Sequence, residues 1–223
     1  MYHFYHSPRA CSFAVHVVLE ETGAPYVVEL RSAEEGATTS AAYLALNPKG
    51  RVPALSGVPG NAGGAPGLLT EVGAILVYLA RTHPHAGLLP LDPAAEARCL
   101  EWLSWLSIDL HGIGFGQLWR PQRFVADGAL HAAVTAKGMA NVLAGFDHIE
   151  RILADGRAWA VADQYTLVDP YLTVFWRWGR RIGLADMETR WPLFCALADK
   201  VLARPAARRA LVQEASFLEK RTG

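Results

Sequence analysis

The sequence predicts an α/β domain over residues 1–82 followed, after a linker at 83–92, by an all-helical domain over 93–223. Three observations predict it: strand and helix patterns alternate quickly at the start, a break rich in Pro and His follows, and only helix-period patterns lie beyond. With 223 residues, 52% of them hydrophobic, the chain can bury a substantial core.

Each element follows from local signals. The aromatic run Tyr2 to Tyr5 suits a strand. From Cys11 to Thr22, Phe13, Val17 and Val18 recur at helical spacing, and Gly23 supplies the stop. Tyr26-Val27-Val28-Glu29-Leu30 reads as a second strand. Strand, helix and strand in this order form a βαβ unit, hence a parallel pair with a right-handed crossover. A short helix is expected over Ala41 to Leu46, ended by Asn47-Pro48-Lys49-Gly50. Val52-Pro53-Ala54-Leu55 and Leu68-Leu69-Thr70 flank a Gly- and Pro-rich stretch from Gly57 to Gly67, the signature of a hairpin with a long, flexible tip. Glu71 to Arg81 closes the domain as a helix. His83-Pro84-His85-Ala86-Gly87, Pro90 and Pro93 mark the linker region. Beyond it, helices are expected at Ala94 to Leu118, Ala129 to Leu153, Leu167 to Ile182 and Trp191 to Leu202, with a short last one after Pro205.

Composition narrows the function. Lys+Arg and Asp+Glu both total 21, so the net charge is zero, which argues against a general nucleic-acid binder. No run reaches the roughly 18 apolar residues of a membrane helix. Met1 to His6 shows no secretory signal, and Cys11, Cys99 and Cys195 are too few and scattered for a disulfide framework, so a cytoplasmic setting is expected. The histidines, His83 and His85 included, lack metal-ligand spacing, and no metal is expected.

Three segments carry chemistry or architecture: Tyr5-His6-Ser7-Pro8-Arg9-Ala10-Cys11-Ser12; Asn47-Pro48-Lys49-Gly50-Arg51-Val52-Pro53-Ala54-Leu55 with Leu69-Thr70-Glu71; and Asp163-Gln164-Tyr165-Thr166-Leu167-Val168-Asp169-Pro170-Tyr171-Leu172. A cysteine at a helix start, as Cys11 is, sits among unsatisfied N–H groups at the positive end of the dipole, where thiolate is favoured. The alternative is a buried, inert cysteine, the reading given to Cys99 and Cys195. Ser12 is either a hydrogen-bond donor or a simple N-cap. Glu71 opens a helix, where the dipole favours a carboxylate. Thr166 to Asp169 reads as a capping box: the Thr side chain caps an N–H three residues on and the Asp reaches back.

Together and in this order, the segments resemble cytosolic glutathione transferases, most closely the bacterial beta class. The likeness spans nearly the whole chain, including the Arg204-Pro205 that opens the final helix. It implies a thioredoxin-like first domain that holds glutathione as co-substrate, and a helical domain that receives a hydrophobic electrophile. It also implies a two-fold homodimer. Carried over residue by residue, Cys11 matches the beta-class cysteine by its distance to Gly23, and Tyr5 matches a tyrosine near the sulfur that is not its main activator. Val52-Pro53 would be a cis bond that turns the Val52 N–H and C=O toward the cysteinyl part of glutathione, unless it is an ordinary strand-opening proline. Lys49 and Arg51 either attract a glutathione carboxylate or are solvated loop charges. Glu71 would bind the γ-glutamyl ammonium and the next N–H, that of Val72, its carboxylate. Many relatives have Ser or Gly at that next position, so here a hydroxyl is absent. The alternative for Glu71 is a plain N-terminal helix charge.

In the second domain, His111 matches a histidine that approaches the sulfur in the beta class, although a lone helix histidine is commonly structural. The family usually follows it with Lys; here Gly112, Gly114 and Gly116 stand instead, and each loosens a helix by roughly 1 kcal/mol relative to Ala. Phe115, Trp119, Trp176 and Trp178 form either an aromatic wall for the electrophile or part of the core. The function implied is conjugation of glutathione to an electrophile. The rivals are glutathione-dependent disulfide or peroxide reduction through Cys11, and non-catalytic binding of hydrophobic ligands.

Overall fold

The structure is a computed structural model that describes residues 1–60, 65, 67–161 and 163–219. Its first strand, β1 (Tyr2–His6), runs parallel to β2 (Tyr26–Leu30), with Tyr2 opposite Tyr26 and His6 opposite Leu30. The crossover is α1 (Ser12–Thr22). It ends where Gly23 adopts a φ of +65°, a left-handed conformation glycine enters without a Cβ penalty. Residues Phe13 to Leu19 are buried without a break, so α1 is covered on every side and shows no narrow apolar stripe. The short α2 (Ala41–Leu46) begins with the Ser40 hydroxyl accepting from the Tyr43 N–H at 3.3 Å. β3 (Ala54–Ser56) pairs antiparallel with β1, and β4 (Leu68–Thr70) antiparallel with β3, giving the order β2-β1-β3-β4. A parallel βαβ unit joined to an antiparallel hairpin is the thioredoxin-like arrangement. The expected hairpin tip lies partly outside the described residues. α3 (Val72–Thr82) then packs on α1.

The chain divides into two packed units, Met1–Leu89 with the chain from Lys200 onward, and Pro90–Asp199. The last helix, α10 (Pro205–Glu219), therefore belongs with the first unit, although the sequence placed it in the helical domain. Charge pairs explain its docking on α1: Arg204 Nε donates to Glu21 at 2.6 Å, Arg209 pairs with Glu20, and Gln213 Nε2 donates to Glu20 at 3.0 Å.

In the second unit, Asp92 caps α4 (Pro93–Trp105) by accepting from the Ala95 N–H at 2.9 Å, with Pro93 in the first turn. The single helix expected from Ala94 to Leu118 is not continuous in register. The backbone widens to a π-helix over Leu106–Phe115 and returns to α for α5 (Gly116–Trp119). The glycines permit this. A Cβ on Gly112 would stand 3.1 Å from the Ser107 carbonyl, and one on Gly114 would stand 3.2 Å from a Val142 methyl. Val142 lies on α6 (His131–Leu153), whose Gly138 and Gly145 share that face. A Cβ on Gly138 would come within 2.5 Å of the Leu118 nitrogen, and one on Gly145 within 2.7 Å of Leu110. Small residues on both elements thus allow the close approach that fixes the π segment.

α7 (Val168–Arg181) follows, then a one-turn α8 (Met187–Arg190) that the sequence did not announce, and α9 (Pro192–Ala203). No helix among the described residues is long and apolar enough to cross a membrane.

The box at the start of α7 differs from expectation. The Thr166 hydroxyl accepts from the Val168 N–H at 3.3 Å, two residues on, because the Asp169 N–H already donates to the Thr166 carbonyl at 3.2 Å. The Asp169 carboxylate reaches back as expected, accepting from the Thr166 N–H at 2.7 Å, and it also accepts from the Ala160 N–H at 2.8 Å. Burial pushes the Asp169 carboxyl up to about 6, against the lowering effect of those N–H donors. Removing the side chain in Asp169→Ala leaves three buried donors, the Ala160 and Thr166 N–H groups and the Thr166 hydroxyl, without this acceptor, a loss of about 2–5 kcal/mol that urea denaturation would read, with activity per folded molecule retained. The folded state holds this proton to about 6, whereas an ordinary aspartate releases it at 3.8. The group's contribution therefore favours folding at low pH and is lost as pH rises through about 6. The stability gap between wild type and Asp169→Asn should shift against wild type across that window; a flat gap contradicts the assignment.

Candidate functional site

The loop between β1 and α1 is tied at three points. The Ser12 hydroxyl donates to the Ser7 carbonyl at 3.1 Å and accepts from the Ser7 N–H at 3.2 Å. Its one proton is thus committed inside the loop. Ser12 does not cap α1, and the residue at the cap position, Cys11, makes no side-chain cap hydrogen bond. The Ser7 hydroxyl accepts from the Ala33 N–H at 3.1 Å. Arg9 has a φ of +64°, uncommon for a residue with a Cβ, and its N–H donates to the buried carboxylate of Glu214 on α10.

Sequence reasoning missed Glu214. A signal existed: Ala206, Ala207, Ala210 and Glu214 are the buried positions of α10, so an acid interrupts an apolar stripe. Beside it, His16 Nε2 lies 3.2 Å from Gln213 Oε1 and 3.1 Å from the Tyr26 hydroxyl. Burial holds the His16 imidazole below its usual range, opposed by Gln213, Glu20 and Glu214.

Cys11 immediately precedes α1, and its thiol donates to the Val52 carbonyl at 3.5 Å. The two residues expected to meet glutathione sulfur and backbone are therefore neighbours. The Val52-Pro53 bond is cis, as expected. The preceding carbonyl, of Arg51, is held by the Tyr43 hydroxyl at 2.8 Å and the Asn47 amide at 2.9 Å, which fixes this stretch from behind, while the Arg51 side chain is exposed. Tyr5 packs with Tyr43, Ala54 and Leu68 in a small apolar cluster against which Val52 also rests.

Glu71 stands just before α3 with a φ of +74°, a conformation costing about 1–3 kcal/mol for a non-glycine residue. Its carboxylate does not cap the helix. It pairs with the Lys49 ammonium at 2.7 Å, and Lys49 also donates to the Thr70 hydroxyl at 2.9 Å. Val72, next in sequence, is buried.

In the second unit, His111 lies in the π segment. Its Nδ1 is 3.3 Å from the Tyr171 hydroxyl, and its ring meets Trp178 edge-on at 5.0 Å. Phe115 contacts Trp119 at 4.9 Å and Trp178 at 5.0 Å, and Trp119 meets Trp178 at 4.9 Å. Only Trp119 reaches the surface, at 36% exposure against 1% for Phe115 and 5% for Trp178. Trp176 makes other contacts: its indole N–H donates to Cys195 Sγ at 3.3 Å, and Arg180 lies over its ring at 5.0 Å. Among the described residues, no three His, Cys, Asp or Glu side chains converge as a metal site.

Residues 9–82 match the N-terminal domain, and residues 124–205 the C-terminal domain, of glutathione S-transferases. The chain is 30% identical over 214 residues to glutathione S-transferase GstA of Escherichia coli O157:H7, covering 94% of this chain and 97% of that one. Its relatives differ in named chemistry. They include maleylacetoacetate isomerase of Pseudomonas aeruginosa, 30% identical with 94% of each chain covered, and a disulfide-bond oxidoreductase of Escherichia coli, 29% identical, covering 78% of this chain and 58% of that one. Among solved structures, a Sulfitobacter glutathione transferase homologue with bound glutathione superposes with a TM-score of 0.85 at 29% identity, covering 96% and 98%. The bacterial beta class enzyme of Sphingomonas chungbukensis gives 0.77 at 28%, covering 95% and 98%.

The three thiols should separate by reactivity. Burial pushes the Cys99 thiol up to about 11 and also raises Cys195; Cys11 is buried as well, at 6% exposure, but it immediately precedes α1, at the positive end of that helix. Brief iodoacetamide treatment near neutral pH, read by peptide mass spectrometry, should label Cys11 first. Earlier labelling of Cys99 contradicts this.

Proposed function

The chain belongs to the glutathione S-transferase family, and on that premise we propose that it conjugates the glutathione thiolate to a hydrophobic electrophile. One observation carries the reading. Within the first unit, a carboxylate that already holds an alkylammonium, Glu71 with Lys49, accompanies a thiol resting on the carbonyl of Val52, Cys11. Those are recognition elements for the two ends of a γ-glutamyl-cysteinyl unit.

In this reading the γ-glutamyl ammonium replaces Lys49 on Glu71, and the Val72 N–H takes the adjoining carboxylate. The cysteinyl backbone pairs with Val52 as an added strand would. The sulfur comes to the start of α1, where the positive end of the helix dipole favours its anion. A greater thiolate fraction is then enough for reaction, because the sulfur forms its bond to carbon as the leaving group departs with the bonding pair. Lys49, released from Glu71, and Arg51 attract the glycyl carboxylate. Tyr5 backs the site and Ser12 closes its loop. In the helical domain the family resemblance makes His111 the candidate donor to the thiolate, and Trp119, backed by Phe115 and Trp178, the candidate for the electrophile.

Cys11, a cysteine outside any disulfide and placed just before α1, favours one second reading, thiol–disulfide exchange. Its thiolate attacks a glutathione-containing disulfide and expels the partner thiolate. A glutathione thiolate then attacks the mixed disulfide, restoring Cys11 and leaving as glutathione disulfide.

Glu71→Ala should weaken glutathione binding at least tenfold by calorimetry, since removing a charged partner costs about 2–5 kcal/mol where the pair is buried and less at a rim. Unchanged affinity removes Glu71 from the site. Cys11→Ala should abolish any glutathione adduct seen by intact mass, together with disulfide exchange. Conjugation to a chloro-nitroaromatic acceptor should persist at a substantial fraction of wild type. Loss of conjugation with exchange intact overturns this division of roles.

A further inference from the structure

The Tyr171 hydroxyl lies between two groups of the π segment, 3.3 Å from His111 Nδ1 and 3.3 Å from Ser107 Oγ. Tyr171 belongs to α7 and is fully buried, its ring packed on Phe175 at 5.0 Å, so the phenol cannot swing away. Ser107 and His111 are four residues apart on the segment whose widened turn the glycines permit, and both reach the same oxygen. The His111 ring is also held edge-on by Trp178 at 5.0 Å and Phe175 at 6.1 Å. Those rings restrain its rotation, and the Tyr171 hydroxyl lies at hydrogen-bond distance from its Nδ1.

We propose that Tyr171 is the positioning residue of His111, donating to Nδ1 and so keeping the imidazole proton on Nε2. A neutral imidazole has one donor nitrogen and one acceptor, and the partner of one nitrogen decides the state of the other. A tyrosine hydroxyl has one proton to give and lone pairs to receive with. Here that proton goes to Nδ1, and the Ser107 hydroxyl donates to the phenol oxygen. Nε2, the nitrogen farther from the backbone, then carries the N–H. The consequence is a donor of fixed direction at the far end of the ring, suited to hydrogen-bond an anionic sulfur. The catalytic half of this inference rests on the reading above that His111 acts on the thiolate; the tautomer itself does not.

Two measurements test it. In the wild-type protein, nitrogen-15 NMR of labelled histidine should show His111 with its proton on Nε2 at neutral pH. A proton predominantly on Nδ1 overturns the proposal, because Tyr171 would then be accepting. Tyr171→Phe keeps the packing ring and removes the hydroxyl. It should convert His111 to a mixture of tautomers and lower kcat for conjugation about three- to tenfold, with the KM for glutathione within about twofold. Loss of stability with the tautomer and kcat unchanged would mean that Tyr171 only packs, and overturns the positioning role. His111→Ala separates the two readings. If it leaves conjugation intact, His111 has no part in the reaction, while the tautomer comparison still decides what Tyr171 does.

Discussion

Ser12 gives its hydroxyl proton to the Ser7 carbonyl and receives the Ser7 N–H in return, and the geometry of the loop that carries Cys11 depends on this closed pair. It ties the end of β1 to the first residue of α1 across only four intervening residues, so Cys11 must stand at the helix start. The loop also holds Arg9 in a left-handed conformation, strained for a residue with a Cβ, and leaves its N–H in need of a partner from outside the loop. The Glu214 carboxylate supplies that partner from the other end of the chain. A buried carboxylate is costly unless it is hydrogen-bonded, so Glu214 and the loop each satisfy a need of the other. The ion pairs of α10 with Glu20 and Glu21 hold the acid in reach. The C-terminal helix thereby becomes part of the thioredoxin-like unit.

The second unit uses a different constraint. Gly138 and Gly145 let α6 approach the π segment so closely that side chains at those positions would collide with Leu118 and Leu110. The widened turn and the close packing accompany each other, and His111 takes its place from both. Around it, aromatic rings and one phenol leave the imidazole little freedom. Asp169 performs the anchoring task at the start of α7, accepting N–H groups from two segments at the expense of a carboxyl that burial makes harder to ionise.

What could be read from the sequence was local. Gly23 as a helix stop, the βαβ order, the cis Val52-Pro53 bond and the position of Cys11 at a helix start each depend on a few neighbouring residues, and they stand as expected. Contacts between distant residues were not legible. The periodicity of Ala94 to Leu118 suits a continuous helix, and only packing against α6 reveals the π register. Ser12 is a good capping residue by type, yet its hydroxyl oxygen accepts the Ser7 N–H and Cys11 stands at the cap position. Four aromatic residues of similar character separate into a surface ring, Trp119, two ring partners behind it, Phe115 and Trp178, and Trp176, which bonds Cys195 instead. Glu214 was visible only as an acid among alanines, with no hint of the loop it would reach.

The central claim is that Glu71, Val52 and Cys11 together hold one glutathione molecule. A crystal structure with glutathione bound tests it most directly. The account predicts the ammonium on the Glu71 carboxylate with Lys49 displaced, backbone pairing at Val52, and the sulfur in contact with Cys11 Sγ or bonded to it. Glutathione bound elsewhere, with the Lys49–Glu71 pair intact and the sulfur away from Cys11, would contradict it.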